Sequence, residues 1–112
     1  MQAILINSGI ANACTGEKGL KDAWESAKEV SEKLKIKEEY VAVASTGKIG
    51  EFLPMQKVKA GVQEAITELS VQGGTKAAEA ILTTDTKKKE IAVSFEIDGQ
   101  EVRIGGMAKG SE

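Results

Sequence analysis

Four short polar stretches hold the residues that could do chemistry in this 112-residue chain. Each stands at the end of an apolar run or of a predicted element; the four span residues 7–16, 45–50, 83–86 and 105–111. They are rich in Ser, Thr, Asn and Gly, which supply hydrogen-bond donors and backbone N–H groups, and no obvious general base stands among them. The pattern favours binding and oxyanion stabilisation over a complete catalytic apparatus, although each stretch alone is also typical of a turn or a helix cap.

Thr46 and Gly47 are the leading candidates for stabilising a negative charge. They follow an apolar run that ends at Ala44, and a second glycine, Gly50, precedes an amphipathic segment opened by Pro54. Backbone N–H groups at such a strand end can be left pointing at a ligand, which suits a developing oxyanion. A phosphate-binding loop is the other interpretation, but the stretch lacks the four-residue gap and the Gly-Lys-Ser/Thr ending of a P-loop.

Two sets of lysines lie near these stretches. Lys109 is a candidate anchor for a substrate carboxylate, because a terminal lysine is a mobile point charge with three donors; the plainer interpretation is a frayed chain end. The lysine run at residues 87–89 is predicted to be a solvated loop before a strand.

The composition excludes several classes of function. The 15 basic and 17 acidic residues give a net charge of −2. The chain therefore has no excess of positive charge that would favour binding to nucleic acid or to an anionic membrane surface. No apolar run is long enough to predict a membrane span, and the start lacks the features of a signal peptide. The single Cys14 fits a reducing compartment, and we expect the cytoplasm. The lack of histidine removes Ser/His/Asp and Cys/His schemes and every metal site that needs an imidazole.

Strands and helices must both position the polar stretches. Short apolar runs at residues 3–6 and 40–44 predict two buried strands. Apolar residues at helical spacing predict helices over about 20–34, 54–69 and 76–82. Trp24 in the first of these is predicted to anchor the core, as large aromatic side chains usually do.

An antiparallel hairpin is the most secure local prediction. Apolar and polar residues alternate over 91–97, which predicts a half-buried strand, and Asp98 and Gly99 form a two-residue turn signal before a return strand at 102–104. Together the elements predict an α/β fold in a single domain over residues 1–112, with a mixed sheet and about three helices packed on it.

The four stretches also carry a resemblance that covers essentially the whole chain. The quoted motifs are NSG-x-ANACTG at 7–16, STG-x-IG with a following LPM at 45–55, AI-x-TTDT at 80–86 and IGGMAKGS at 104–111. In this order they resemble the ornithine acetyltransferases, which are the bifunctional glutamate N-acetyltransferases of arginine biosynthesis. Four ordered motifs of this length are far more specific than any single glycine-rich turn.

The resemblance implies a fold and a mechanism. The family fold is an α/β sandwich shared with self-processing aminopeptidases. A precursor cleaves itself before a threonine, and this threonine, now at the start of the β chain, takes the acetyl group from N-acetylornithine and passes it to glutamate. The oxyanion pair of the family falls on Thr46 and Gly47, and substrate contacts fall on Thr83 and Lys109. No organic cofactor or metal is implied, and the assembly is an α2β2 heterotetramer with the β chain.

The same comparison implies that the chain is one part of an enzyme. In the family the cleavage threonine lies beyond the position of Glu112, and a substantial segment precedes the strand at Ala3. We therefore expect an α-chain segment that is inactive alone and that exposes an apolar face or a sheet edge. The alternative is a catalytically inactive scaffold or a small-ligand or protein-binding module derived from the family, and a truncated piece without function of its own is a third possibility.

Overall fold

The structure, a computed structural model, describes residues 1–110. They fall into two compact units, Met1–Ser70 and a second that begins at Val71. The elements of the first unit are β1 (Ala3–Ile10), α1 (Gly16–Leu34), a 3-10 turn (Glu38–Tyr40), β2 (Val41–Lys48) and α2 (Met55–Thr67). Those of the second are α3 (Gly74–Ala80), β3 (Lys89–Ile97) and β4 (Gln100–Ala108). That residues 1–112 form a single domain stays a prediction.

The first unit is built on a parallel strand pair. β1 and β2 pair in parallel from Ala3 with Val41 to Ile10 with Lys48. Parallel neighbours need a crossover connection, and α1 supplies it. Because parallel strands run in the same direction, the ends of both strands and the loops that follow them meet at one edge of the sheet.

Helix α1 buries a face made of small residues, and this corrects the prediction for Trp24. The helix packs against β1, β2 and α2 through a buried face of Gly19, Asp22, Ser26, Ala27, Val30 and Ser31. Small side chains let the helix approach its neighbours closely. Trp24 lies on another face and is 60% exposed; helical spacing alone does not distinguish a face of small residues from a face of large ones.

Helix α2 begins as predicted and ends earlier. Pro54 stands just before the first helical residue, and its carbonyl accepts hydrogen bonds from the N–H groups of Lys57 and Val58 at 2.8 and 3.0 Å. Val62 is the buried residue of the helix. The predicted stripe extended to Leu69, but the helix ends at Thr67 and Leu69 is exposed.

The second unit confirms the predicted hairpin. β3 and β4 pair antiparallel from Lys89 with Ala108 to Ile97 with Gln100. Asp98 and Gly99 both have positive φ angles, 50° and 77°, as a two-residue type I′ turn requires. In contrast to the half-buried strand that the alternation predicts, all nine residues of β3 are exposed.

The fold class is α/β with three helices, as predicted. In place of the one mixed sheet that was predicted, the parallel and antiparallel pairs within residues 1–110 form two separate two-stranded sheets. None of the helices within residues 1–110 combines the length and the apolar character needed to cross a membrane.

Candidate functional site

The parallel pair ends in a close glycine contact that we call the strand-end site, made of Ser8, Gly9, Thr46 and Gly47. Ser8 is paired with Thr46 and Gly9 with Gly47. Gly47 has a φ of 136°, and a Cβ built on it would lie 2.2 Å from the carbonyl carbon and 2.3 Å from the carbonyl oxygen of Gly9. Both the conformation and the space therefore demand glycine at position 47.

Backbone hydrogen bonds join the two loops that leave this site. The Ala11 N–H donates to the Lys48 carbonyl at 2.8 Å, and the Gly50 N–H donates to the Ala13 carbonyl at 2.8 Å. The Asn7 side-chain amide donates to the Ile10 carbonyl at 3.0 Å. The two backbone bonds extend the strand pairing beyond its last register position and so hold the segment that follows Gly47, whereas the Asn7 bond stays within β1.

The loop after β1 is closed by a small polar lock, Asn12 with Thr15 and Gly19. The Asn12 amide nitrogen donates to the Gly19 carbonyl at 2.9 Å, and the Thr15 hydroxyl donates to Asn12 Oδ1 at 2.9 Å. A Cβ on Gly19 would lie 1.8 Å from Thr15 Oγ1, so only glycine leaves room for the lock. The backbone of Asn12 lies in the left-handed region, with a φ of 52°. The lock fixes the loop that pairs with the segment after Gly47.

A contact from α1 holds the loop after β2 at its other end. Lys18 Nζ lies 4.8 Å from the centre of the Phe52 ring, a cation–π distance. The same nitrogen lies 2.7 Å from Asp22 Oδ2. Asp22 is buried, and this ion pair gives its carboxylate a charged partner in Lys18.

Thr46 lies exposed on β2. The neighbouring Ser45 lines a cavity of about 350 Å³ between the sheet and the helices of this unit. Thr46 is not among the residues that line this cavity. The cavity is lined mainly by aliphatic side chains, including Leu5, Val43 and Val58. Thr46 and Gly47, the predicted oxyanion pair, are both exposed at the end of β2.

The second unit gathers the other two predicted site residues around one carboxylate, in what we call the Asp85 cluster: Thr83, Asp85, Lys89, Lys109 and Gly110. Lys109 Nζ lies 2.8 Å from Thr83 Oγ1 and 3.4 Å from Asp85 Oδ2. The Gly110 N–H donates to Asp85 Oδ1 at 2.7 Å, and Lys89 Nζ donates to the same oxygen at 3.2 Å. Lys89 also donates to the Gly110 carbonyl. Residues from two distant stretches of the chain therefore converge on Asp85.

The electrostatics of this cluster stabilise the charged carboxylate. The hydrogen bond from the Gly110 N–H is the largest cause that holds the pKa of Asp85 far below its usual range. Lys89, the Thr83 N–H and the charge of Lys109 act in the same direction, whereas desolvation opposes them. The Asp85 side chain has no exposed surface, and that of Lys109 is 19% exposed. Lys109 is therefore held in place, unlike a frayed chain end.

The structure brings Thr83 and Lys109 together as neighbours, and Thr46 and Gly47 lie together in the other unit. Sequence reasoning assigned no role to Asp85 or Lys89, and it treated the lysine run at 87–89 as a solvated loop. The only available signal was that Asp85 is the one acidic residue within the four polar stretches. Ser111, the last residue of the fourth motif, lies outside the described residues. Across residues 1–110, no three His, Cys, Asp or Glu side chains gather into a metal-binding group.

Comparison with known proteins places this geometry in a family. The family model of ArgJ matches residues 1–112. The chain is 56% identical over 110 residues to the arginine biosynthesis bifunctional protein ArgJ of Caldanaerobacter subterraneus, covering 98% of this chain and 27% of that protein. It is 55% identical over 111 residues to the ArgJ protein of Symbiobacterium thermophilum, covering 99% of this chain and 28% of that protein. The chain thus spans about a quarter of the length of these curated relatives.

Two solved structures are similar along almost the whole chain. The crystal structure of the ArgJ protein from Bacillus halodurans aligns with a TM-score of 0.85 at 46% identity, over 96% of this chain and 56% of that one. The ornithine acetyltransferase from Mycobacterium tuberculosis, crystallised with ornithine, aligns with a TM-score of 0.87 at 41% identity, over 96% and 58%. The sequence and structural matches agree, and the chain belongs to the ArgJ family.

Proposed function

We propose that this chain supplies part of the acetyl-transfer site of an ornithine acetyltransferase that also acts as a glutamate N-acetyltransferase in arginine biosynthesis. The observation that carries the proposal is the glycine-only approach of Gly47 to Gly9, which sets Thr46 and Gly47 in a fixed and exposed backbone at the end of β2. Family membership supports the same reading. In this proposal Thr46 and Gly47 stabilise an oxyanion, and Thr83 and Lys109 contact substrate.

The chemistry needs a rigid donor pair. Transfer of an acetyl group from the amide of N-acetylornithine passes through a tetrahedral intermediate whose carbonyl oxygen becomes negative. Donors that are already in place stabilise this charge without reorganising, and the loss of one typically costs about 3 kcal/mol of transition-state stabilisation. The hydrogen bonds of Ala11 and Gly50 around the strand ends support this role, because they keep the backbone from adjusting away from the charge.

The nucleophile in this proposal is the N-terminal threonine of a β chain from the same precursor. A threonine beside its own α-amino group carries its base with it, so it needs no histidine. The lack of histidine in this chain fits that scheme. The threonine first accepts the acetyl group and releases ornithine, and the α-amine of glutamate then takes the acetyl group from the threonine ester. The isolated chain is accordingly inactive.

Thr83 and Lys109 provide the anchor for the substrate in this scheme. Both N-acetylornithine and glutamate carry an α-carboxylate, and a lysine ammonium attracts it as a point charge. Lys109 Nζ binds Thr83 and Asp85, so two of its three donors are directed within residues 1–110, and in this proposal the third meets the substrate. No cofactor takes part in the proposed reaction. The enzyme is an α2β2 heterotetramer of the cytoplasm.

An acetyl-transfer assay tests the proposal. The chain alone and a complete enzyme that carries it with a β chain are each given N-acetylornithine and glutamate, and ornithine and N-acetylglutamate are measured. We expect turnover only from the complete enzyme. Turnover by the isolated chain would show that the nucleophile is not on another chain. A complete protein that binds ornithine but does not transfer acetyl would favour the alternative of a binding module that has lost catalysis.

A further inference from the structure

Asp85 is the centre of the cluster in the second unit, although the proposed reaction gives it no step. Its two oxygens accept hydrogen bonds from Gly110 and Lys89 on one side and from Lys109 and the Thr83 N–H on the other. We propose that Asp85 is a positioning residue, which fixes the Lys109 ammonium in the place where it meets the substrate carboxylate. The proposal rests on the proposed function, because it assumes that Lys109 contacts substrate.

The geometry separates two tasks between the two carboxylate oxygens. Oδ1 binds the Gly110 N–H at 2.7 Å, which fixes the backbone directly after Lys109. Oδ2 lies 3.4 Å from Lys109 Nζ, which fixes the end of the same side chain. A lysine has four rotatable side-chain bonds, and holding both ends restricts them together. The Lys109 ammonium is therefore already ordered before a ligand binds, so ligand binding does not carry the entropy cost of ordering it.

The charges of the cluster support an anionic ligand. Lys89 and Lys109 contribute two positive charges and Asp85 contributes one negative charge, which leaves one net positive charge. The Asp85 side chain has no exposed surface, whereas that of Lys109 is partly exposed. The carboxylate thus holds the two ammonium groups from the inside, and the excess positive charge faces outward. An α-carboxylate of an amino acid has the charge and size to neutralise it.

Kinetics of the complete enzyme test this inference with Asp85→Asn, Lys109→Gln and the double variant. Asparagine keeps an oxygen for the Gly110 N–H but loses the charge that holds Lys109. We expect Asp85→Asn to raise the KM for N-acetylornithine about tenfold, the effect of one weakened charged hydrogen bond, with a smaller change in kcat. In the Lys109→Gln background the same change should have little further effect. Glu101→Gln is the control, because Glu101 is exposed and pairs only with its near neighbour Arg103 within the described chain.

The outcomes separate the inference from the function on which it rests. If Lys109→Gln raises KM but Asp85→Asn leaves it within twofold, the positioning role is overturned and the substrate contact stands. If the two effects on KM multiply in the double variant, Asp85 acts independently of Lys109, which also overturns the inference. If Lys109→Gln leaves KM unchanged, the substrate contact itself fails and the inference fails with it.

A second variant keeps the test decisive if Asp85→Asn does not assemble. Asp85→Glu retains the negative charge but moves it outward by one methylene, so the Lys109 ammonium should be displaced without losing its partner. We expect a rise in KM with kcat altered less. A fall in the active fraction at constant KM would mean that Asp85 only supports folding, and would overturn the inference.

Discussion

Gly47 lies against the Gly9 carbonyl so closely that no side chain fits between them. A Cβ at position 47 would be 2.2 Å from the Gly9 carbonyl carbon, whereas a Cβ at position 9 would have no atom within 4 Å. Both residues have positive φ angles, 136° and 110°. The contact is therefore asymmetric: Gly9 is glycine for its conformation alone, and Gly47 is glycine for its conformation and for space.

This asymmetry predicts different costs for the two alanine substitutions. Gly9→Ala should lower the free energy of unfolding by about 1–2 kcal/mol, the usual cost of strained backbone. Gly47→Ala adds a steric clash with backbone that cannot turn away, so we expect a loss of about 3 kcal/mol or more. Urea denaturation of the two variants measures the difference. Equal losses would contradict the close contact.

Thr46 allows a test of catalysis without a large effect on folding, because it is exposed. We assign the Thr46 donor to its side-chain hydroxyl, so in the complete enzyme Thr46→Ala should slow acetylation of the nucleophile about 100-fold, as the loss of other oxyanion donors does. Thr46→Ser keeps the hydroxyl and is the matched control. Single-turnover release of ornithine measures the step directly. An unchanged rate in the alanine variant would remove the Thr46 hydroxyl from the oxyanion role.

The lock formed by Asn12, Thr15 and Gly19 predicts a second stability effect. Gly19→Ala would set a Cβ 1.8 Å from Thr15 Oγ1, so the lock must open, and we expect a loss of about 1–3 kcal/mol in spite of the better helix propensity of alanine. Gly61→Ala is the control, because Gly61 lies within α2 and a Cβ there meets no atom within 4 Å. That variant should gain up to about 1 kcal/mol. Thermal unfolding of both variants measures the two changes in stability.

Features set by residues that are neighbours in the sequence could be predicted, whereas features set by contacts between distant residues could not. The hairpin was predictable because Asp98 and Gly99 decide it between adjacent residues. Trp24 was placed wrongly because both the small and the large residues of α1 repeat at helical spacing, and only the packed neighbours reveal which face is buried. Asp85 received no role because its partners, Lys109 and Gly110, are 24 and 25 residues away. A sequence pattern over a few neighbouring residues cannot show that Asp85, Lys109 and Gly110 meet in the fold.

Asp85 also predicts how the second unit responds to acid. Its pKa is lowered in the folded state, so it contributes stability that is fully present above the pKa of an unfolded aspartate, near 4. This contribution falls as pH drops below that value, towards the lower pKa of the folded state. Asp85→Asn should therefore flatten the acid limb of the stability curve. Urea midpoints of the parent and the variant between pH 7 and pH 2 measure it, and parallel curves would contradict the assignment.

The exposed face of the hairpin predicts self-association of the isolated chain. Ile91, Val93 and Ile104 are 71%, 50% and 56% exposed, and Val93 pairs directly with Ile104. Apolar strands exposed in this way tend to pair with a further chain. Sedimentation velocity should show dimers or larger species of the isolated chain, and Val93→Thr with Ile104→Thr should shift it towards monomer. Ser94→Thr, on the opposite side of β3, is the control. A monomeric parent at high concentration would contradict the prediction.

The two strand pairings also differ in the time at which they can form. The hairpin turn pairs Ile97 with Gln100, which is three positions later in the sequence. Each residue of β1, by contrast, pairs with a residue 38 positions later, as Ala3 does with Val41. Hairpins close in about 1–10 μs, but a two-stranded hairpin is only marginally stable alone. The parallel pair must close a loop over that distance, which is slower than closing a hairpin turn. We therefore expect the strand end that carries Thr46 and Gly47 to form after the hairpin.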